Sequence, residues 1–133
     1  MSGDSDRVRV VRSDERTVPA AAQTPGMRRE QAIADDHSWV GAFTAAAGTV
    51  SGWHHHGEYD SYIYVISGRI RLEFGPGGRE HADAAAEDFI HVPRNVVHRE
   101  GNPGDAEAYA VLVRVGSGAS LVNVAGPPSG ASG

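Results

Sequence analysis

The sequence predicts an all-β protein of one domain, and three observations carry that reading. Apolar and polar residues alternate with period two through much of the chain, while helical spacing at i, i+3, i+4 is hard to find in any long window. The alternating runs are short and closely spaced, the pattern of a barrel or sandwich. With 133 residues the chain fits one core, because two would each be too small to offset chain entropy without staples.

In chain order, the first candidate strand is Arg7 to Val11, and Ser13 to Gly26 mixes Ala, Pro and Thr without periodicity and reads as a loop. Strands are then expected at Met27 to Ile33, Ser38 to Thr44, Thr49 to His56, Ser61 to Ser67 and Arg69 to Phe74. The Gly-Pro-Gly-Gly run after Phe74 supplies positive φ and one preset turn dihedral, so a hairpin joins the strands on either side. Ile70, Leu72 and Phe74 then face the core, with Arg69, Arg71 and Glu73 outside. Phe89 to Val92, Val96 to Arg99 and Glu107 to Val115 complete the set. From Gly116 onward Gly, Ser, Pro and Ala dominate, too poor in large apolar groups to pack well. The expected organisation is an N-terminal strand and loop arm over 1–26, a barrel over 27–118 and a flexible tail over 119–133.

Composition excludes several function classes. Seventeen acidic against twelve basic residues give a net charge of -5, which disfavours nucleic acid and anionic lipid surfaces as partners. The absence of cysteine removes disulfides, thiolate metal sites and a cysteine nucleophile, so any metal must sit on nitrogen and oxygen. The start, MSGDSDRVRVV, lacks the apolar run of a signal peptide, and no stretch approaches the roughly 18 apolar residues of a membrane span. A cytoplasmic location is the expectation. The run Ser61-Tyr62-Ile63-Tyr64-Val65-Ile66 is apolar on both faces, so something covers its outer face: the N-terminal arm, or a second subunit through Tyr62, Tyr64 and Ile66. A homodimer is the expected assembly.

The strongest signal is histidine. Five of seven histidines fall in WHHHGEYDSY, around His54 to His56, and DFIHVPRNVVHREGN, around His91 and His98. Residues two apart on a strand share a face with Cα atoms roughly 6.5 to 7 Å apart, so His54 and His56 can converge on one ion while His55 points away. His98, on a neighbouring strand, is the best third ligand, and such a set leaves coordination positions open. His37 and His81 read as ordinary surface or hydrogen-bonded residues, and His91 fits either a pocket wall or the outer surface.

These residues resemble the two motifs of the cupins. Gly48, His54, His56 and Gly68 match the first motif in spacing, with Ser61 where the motif has Glu. Pro93, His98 and Asn102 match the second, with Glu87 and Asn95 where it has glycines. The resemblance implies a cupin, jelly-roll-like β-barrel with one divalent metal ion per chain in the barrel mouth, bound by His54, His56 and His98.

Three neutral imidazoles leave the ion its full double charge, which favours an anionic bidentate oxygen ligand such as an enolate, a diketonate or a hydroxy acid. Ser61 can hydrogen-bond that ligand, and Asp60 replaces the missing Glu if a bulge turns it inward. Glu58 and Glu100 are the candidate acid–base residues, Glu100 because it shares a strand face with His98 if that strand continues. Val50, Gly52, Ser61, Ile63 and Val65 are the expected pocket wall for a small-molecule substrate. Iron heads the metals, with zinc, manganese, nickel and copper also suited to nitrogen ligands. A non-haem iron dioxygenase-like enzyme leads the functional readings, since cupins with three histidines include such enzymes. A Lewis-acid isomerase, cyclase or lyase follows, and a non-catalytic ligand-binding or sensing module is the reading from a different class.

Overall fold

The computed structural model describes residues 7–20, 23–119 and 121–128. Two antiparallel sheets face one another. In the larger, β1 (Met27–Ala34) pairs with β2 (Ser38–Ala45), which pairs with β9 (Ala108–Ser117); β4 (Glu58–Ser67) follows, then β7 (Phe89–Val92) at the far edge. The smaller places β5 (Arg69–Phe74) between β6 (Glu80–Ala85) and β8 (Arg99–Gly101). The short β3 (His54–His55) pairs with β10 (Val122–Asn123) and joins the β8 region through the bridges His54 to His98 and Val50 to Gly101. This is the all-β architecture expected from the alternation, in the jelly-roll-like form that the resemblance implies.

Period two decides which side chains meet. Phe43, Ala45, Ile63, Val65, Ala108, Ala110 and Leu112 from the large sheet bury against Ile70, Leu72 and Ala84 from the small one. The chain passes from one sheet to the other between β4 and β5 at Gly68, whose φ is +80° and whose hypothetical Cβ would lie 2.7 Å from Ala108 Cα and from the Glu107 carbonyl. Only glycine fits there.

Three expectations need correction. Arg7 to Val11 forms no strand; Val8 and Val10 lie exposed, because alternation without a partner strand gives them no face to bury. Thr49 to His56 contracts to His54–His55, since Ser51 turns its hydroxyl to the Gly52 carbonyl at 2.9 Å while accepting from Glu100 N–H at 3.1 Å, a local alternative to a ladder. Val96 to Arg99 starts later, as Arg99–Gly101, because Asn95 sits at φ 63° in a turn closed by Val96 N–H on the Pro93 carbonyl. The hairpin expected after Phe74 forms, β5 pairing with β6 from Phe74 opposite Glu80 to Arg69 opposite Ala85; β6 buries only Ala84, so EHADAA carries no alternation to read.

Both ends of the chain touch this sandwich. Thr17 exchanges backbone hydrogen bonds of 2.9 and 2.6 Å with Gln31 on β1, and Gln23 grips the Arg29 backbone at 2.9 and 3.1 Å. Within the segment expected as a tail, Val122 and Asn123 pair with His55 and His54. On the outer face Arg16 reaches the Tyr109 hydroxyl, while Tyr62 and Ile66 stay 45% and 42% exposed.

Candidate metal centre

His54 comes from β3, His56 from the turn after it, and His98 from the bridge that pairs with His54. All three are buried, with ring centroids 4.4 to 5.1 Å apart. One nitrogen from each lies within 4.8 Å of the others, a spacing that an ion about 2 Å from each nitrogen can bridge with small ring rotations. Among the described residues this is the one cluster of metal-ligating type.

The backbone sets the tautomers. Nδ1 of His54 lies 2.9 Å from the Gly52 carbonyl and Nδ1 of His98 lies 2.9 Å from that of Val96. A carbonyl only accepts, so each Nδ1 carries the hydrogen, and in the neutral ring Nε2 is a bare lone pair. Both Nε2 atoms face Oε1 of buried Glu100, at 3.3 Å from His54 and 3.4 Å from His98. Three acceptors thus converge with no hydrogen between them, an arrangement that calls for a cation in their midst, a proton or a metal ion. Two ligands at right angles about 2.1 Å from one ion lie about 3 Å apart, close to these separations.

Electrostatics agree. Burial pushes the Glu100 carboxyl up, but hydrogen bonds from His54 and His98 in their protonated form, with the charge of Arg29, outweigh it and hold the group well below the usual carboxylate range. Burial pulls His54 down, yet Glu100 outweighs it and raises that imidazole above its ordinary value. Oε2 of Glu100 accepts from Nη2 of Arg29 at 2.5 Å, so the carboxylate is fixed from the opposite sheet.

A cavity of about 330 Å³ opens on the cluster, lined by His54, His56 and Gly52 on one side and by Arg29, Arg114, Gln31 and Trp39 elsewhere. Residues of both chain ends also line it: Pro19, Gln23 and Thr24, then Leu121 and Asn123. Behind it a space of about 20 Å³, room for one water, is lined by Ser61, Ile63, His56, His98, Glu100 and Arg114 among others.

Of the expected site residues, the structure brings together His54, His56, His98, Glu100, Gly52, Ser61 and Ile63. Val65 belongs to the apolar core instead. Val50 is 51% exposed, because the irregular segment before β3 breaks the phase that would turn it inward with His54. Glu58 is exposed and accepts from Asn95 Nδ2 at 2.6 Å. Asp60 points outward and is held by His91 at 3.0 Å and Arg94 at 2.9 Å, so no bulge turns it toward the histidines. His91 takes the outer-surface alternative, stacked on Tyr62. His55 accepts from Gly57 N–H and stays out of the cluster.

Arg29 and Arg114 escaped the sequence reading. Their signal was present: each stands in the inward phase of its strand, Arg29 with Met27, and Arg114 with Ala108, Ala110 and Leu112. A charged residue in an apolar phase marks a site.

A family model described as a cupin domain matches residues 41–114. An uncharacterized conserved protein with a double-stranded β-helix domain from Klebsiella pneumoniae superposes with TM-score 0.69 at 22% identity, covering 89% of this chain and 98% of that one. KdgF from a Halomonas species gives TM-score 0.67 at 16% identity, over 83% and 96%. The Bacillus subtilis oxalate decarboxylase, described with Mn(II) centres, gives 0.65 at 20% identity, over 77% of this chain and 29% of its own. No curated protein matches the sequence.

Proposed function

This chain belongs to the cupin domain family, and from that premise we propose that it is a metal-dependent enzyme acting on a small organic molecule. One divalent ion per chain sits on His54, His56 and His98, with Glu100 supplying the carboxylate that the motif would place at Ser61. The observation that carries this is the convergence of two imidazole lone pairs on Oε1 of Glu100.

When bound, the ion supplies Lewis acidity and open positions for a small ligand. The chain does the rest. Gly52 and Val96 carbonyls fix the ring orientations, as partners of ligating histidines do elsewhere. Arg29 holds Glu100 in place, and the cavity walls limit access to a small molecule. Within this reading the leading reaction is an oxygen-dependent oxidation with iron. The second, a decarboxylase-, isomerase- or lyase-like use of the ion without oxygen, draws support from the manganese described for the oxalate decarboxylase. The exposed Tyr62 and Ile66 favour a homodimer through the outer face of β4.

Elemental analysis of protein purified without affinity tag or chelator, beside His98→Ala, is the test. Near-stoichiometric iron lost in the variant supports the oxidation; manganese, zinc or nickel in its place moves the reading to Lewis-acid chemistry. No metal in either protein after reconstitution sinks the enzyme and leaves a ligand-binding barrel. Light scattering at the same step reads the dimer.

A further inference from the structure

Arg114 is only 7% exposed, and its Nε has no hydrogen-bond partner among the described residues. Its guanidinium lies over the Trp39 ring, 4.9 Å from the centroid, at the wall of the 330 Å³ cavity that also holds His54 and His56. Burial pulls it down to about 10, so it is a cation at neutral pH. The buried carboxylate nearby, Glu100, is engaged by Arg29 and the histidines, and among the described residues no carboxylate lies within 4.0 Å of Arg114. Two buried arginines therefore face one buried carboxylate, and a metal ion would add to the excess of positive charge.

Beside it stands a second unsatisfied group. Ser61 is the register neighbour of Arg114 across β4 and β9, 2% exposed, with its Oγ also unpartnered. Both line the water-sized space next to His56, His98 and Glu100. Buried polar groups left open in this way call for a partner, an ordered water or a bound group.

We propose that the cavity takes a small organic carboxylate, anchored by the Arg114 guanidinium next to the histidine cluster, with a water in the adjoining space linking it to Ser61 Oγ. The planar guanidinium fork matches a carboxylate. Trp39, Leu121, Pro19 and Gly52 supply apolar wall for the organic part. A bare phosphate would leave that wall uncovered. The assignment rests on the cupin enzyme reading and names its substrate class.

Calorimetry on the metal-loaded full chain tests it, with benzoate and acetoacetate as probes, benzamide and acetylacetone as uncharged counterparts, and inorganic phosphate as competitor. The wild type is expected to bind the carboxylates and not benzamide. Arg114→Met weakens the carboxylates at least about tenfold while metal content and acetylacetone binding stay unchanged. Arg114→Lys, which keeps the charge without the fork, falls between. Benzamide bound as tightly as benzoate, phosphate bound as tightly as either carboxylate, or carboxylate affinity unchanged in both variants would overturn it. The wild-type comparison decides even if Arg114→Met fails to fold. Protein that proves metal-free yet binds carboxylates through Arg114 would sink the enzyme reading and leave this anchor standing.

Discussion

Arg29 on β1 donates to Glu100 on β8 at 2.5 Å, so one buried ion pair ties the two sheets together beside the histidine cluster. Removing one partner leaves an uncompensated buried charge. Arg29→Met is expected to cost about 3–5 kcal/mol in urea denaturation of the metal-free protein, and the double variant Arg29→Met, Glu100→Met less than the single one. A double-variant loss equal to the sum of the losses of Arg29→Met and Glu100→Met alone would show that the pair is not energetically coupled.

Protons and metal compete for the same imidazole lone pairs. Metal affinity is therefore expected to fall as pH drops, with the decline setting in above the ordinary imidazole value because Glu100 raises His54. Titration with a metal-binding dye at stepped pH measures it. Binding that stays flat from neutral pH to pH 5 would contradict the three-histidine centre.

Glu87 and Asn95, the two described non-glycine residues with positive φ, at 75° and 63°, stand where the second motif has glycines. Glu87→Gly is expected to stabilise the fold by about 1 kcal/mol, since a left-handed side chain is strained there. Asn95→Gly gains less, because asparagine tolerates the conformation and its Nδ2 bond to Glu58 would be lost. Urea midpoints of the two variants give the order.

On the small sheet, the Arg99 guanidinium bonds Glu73 at 2.8 and 3.1 Å and holds that carboxyl below its ordinary 4.5. A depressed folded-state value means that this contribution is present above 4.5 and is lost as pH falls through the folded value. The stability gap between wild type and Glu73→Gln, under about 1 kcal/mol at neutral pH, is expected to close in acid. A gap that widens in acid would reverse the assignment.

The sequence made the sandwich legible where one face is buried. Ile63 and Val65, or Ile70 and Leu72, announce themselves because the neighbours between them face away. β6 and β10 were not legible, since neither buries a row of apolar side chains; their hydrogen-bonded partners define them. At the site, His54, His56 and His98 could be singled out because imidazoles at this spacing are chemically conspicuous. The places of Arg29 and Arg114 depend on pairings that span more than fifty residues, Arg29 with Glu100 and Arg114 with Ser61, which no local pattern encodes. Val50 failed for the opposite reason, a local irregularity that shifted the phase.

The strand order β1-β2-β9-β4-β7 puts the last of these strands to be synthesised in the middle of the sheet. Until β9 leaves the ribosome, β2 and β4 have no shared neighbour, and each presents an open edge to other nascent chains. Arg114 lies on this same late strand, so its part of the cavity wall forms as the large sheet closes, and Leu121 and Asn123 complete the wall after it. Folding is consequently governed by long-range pairing and is slow for the chain's length, and a chaperone's window of action is the interval between β4 and β9.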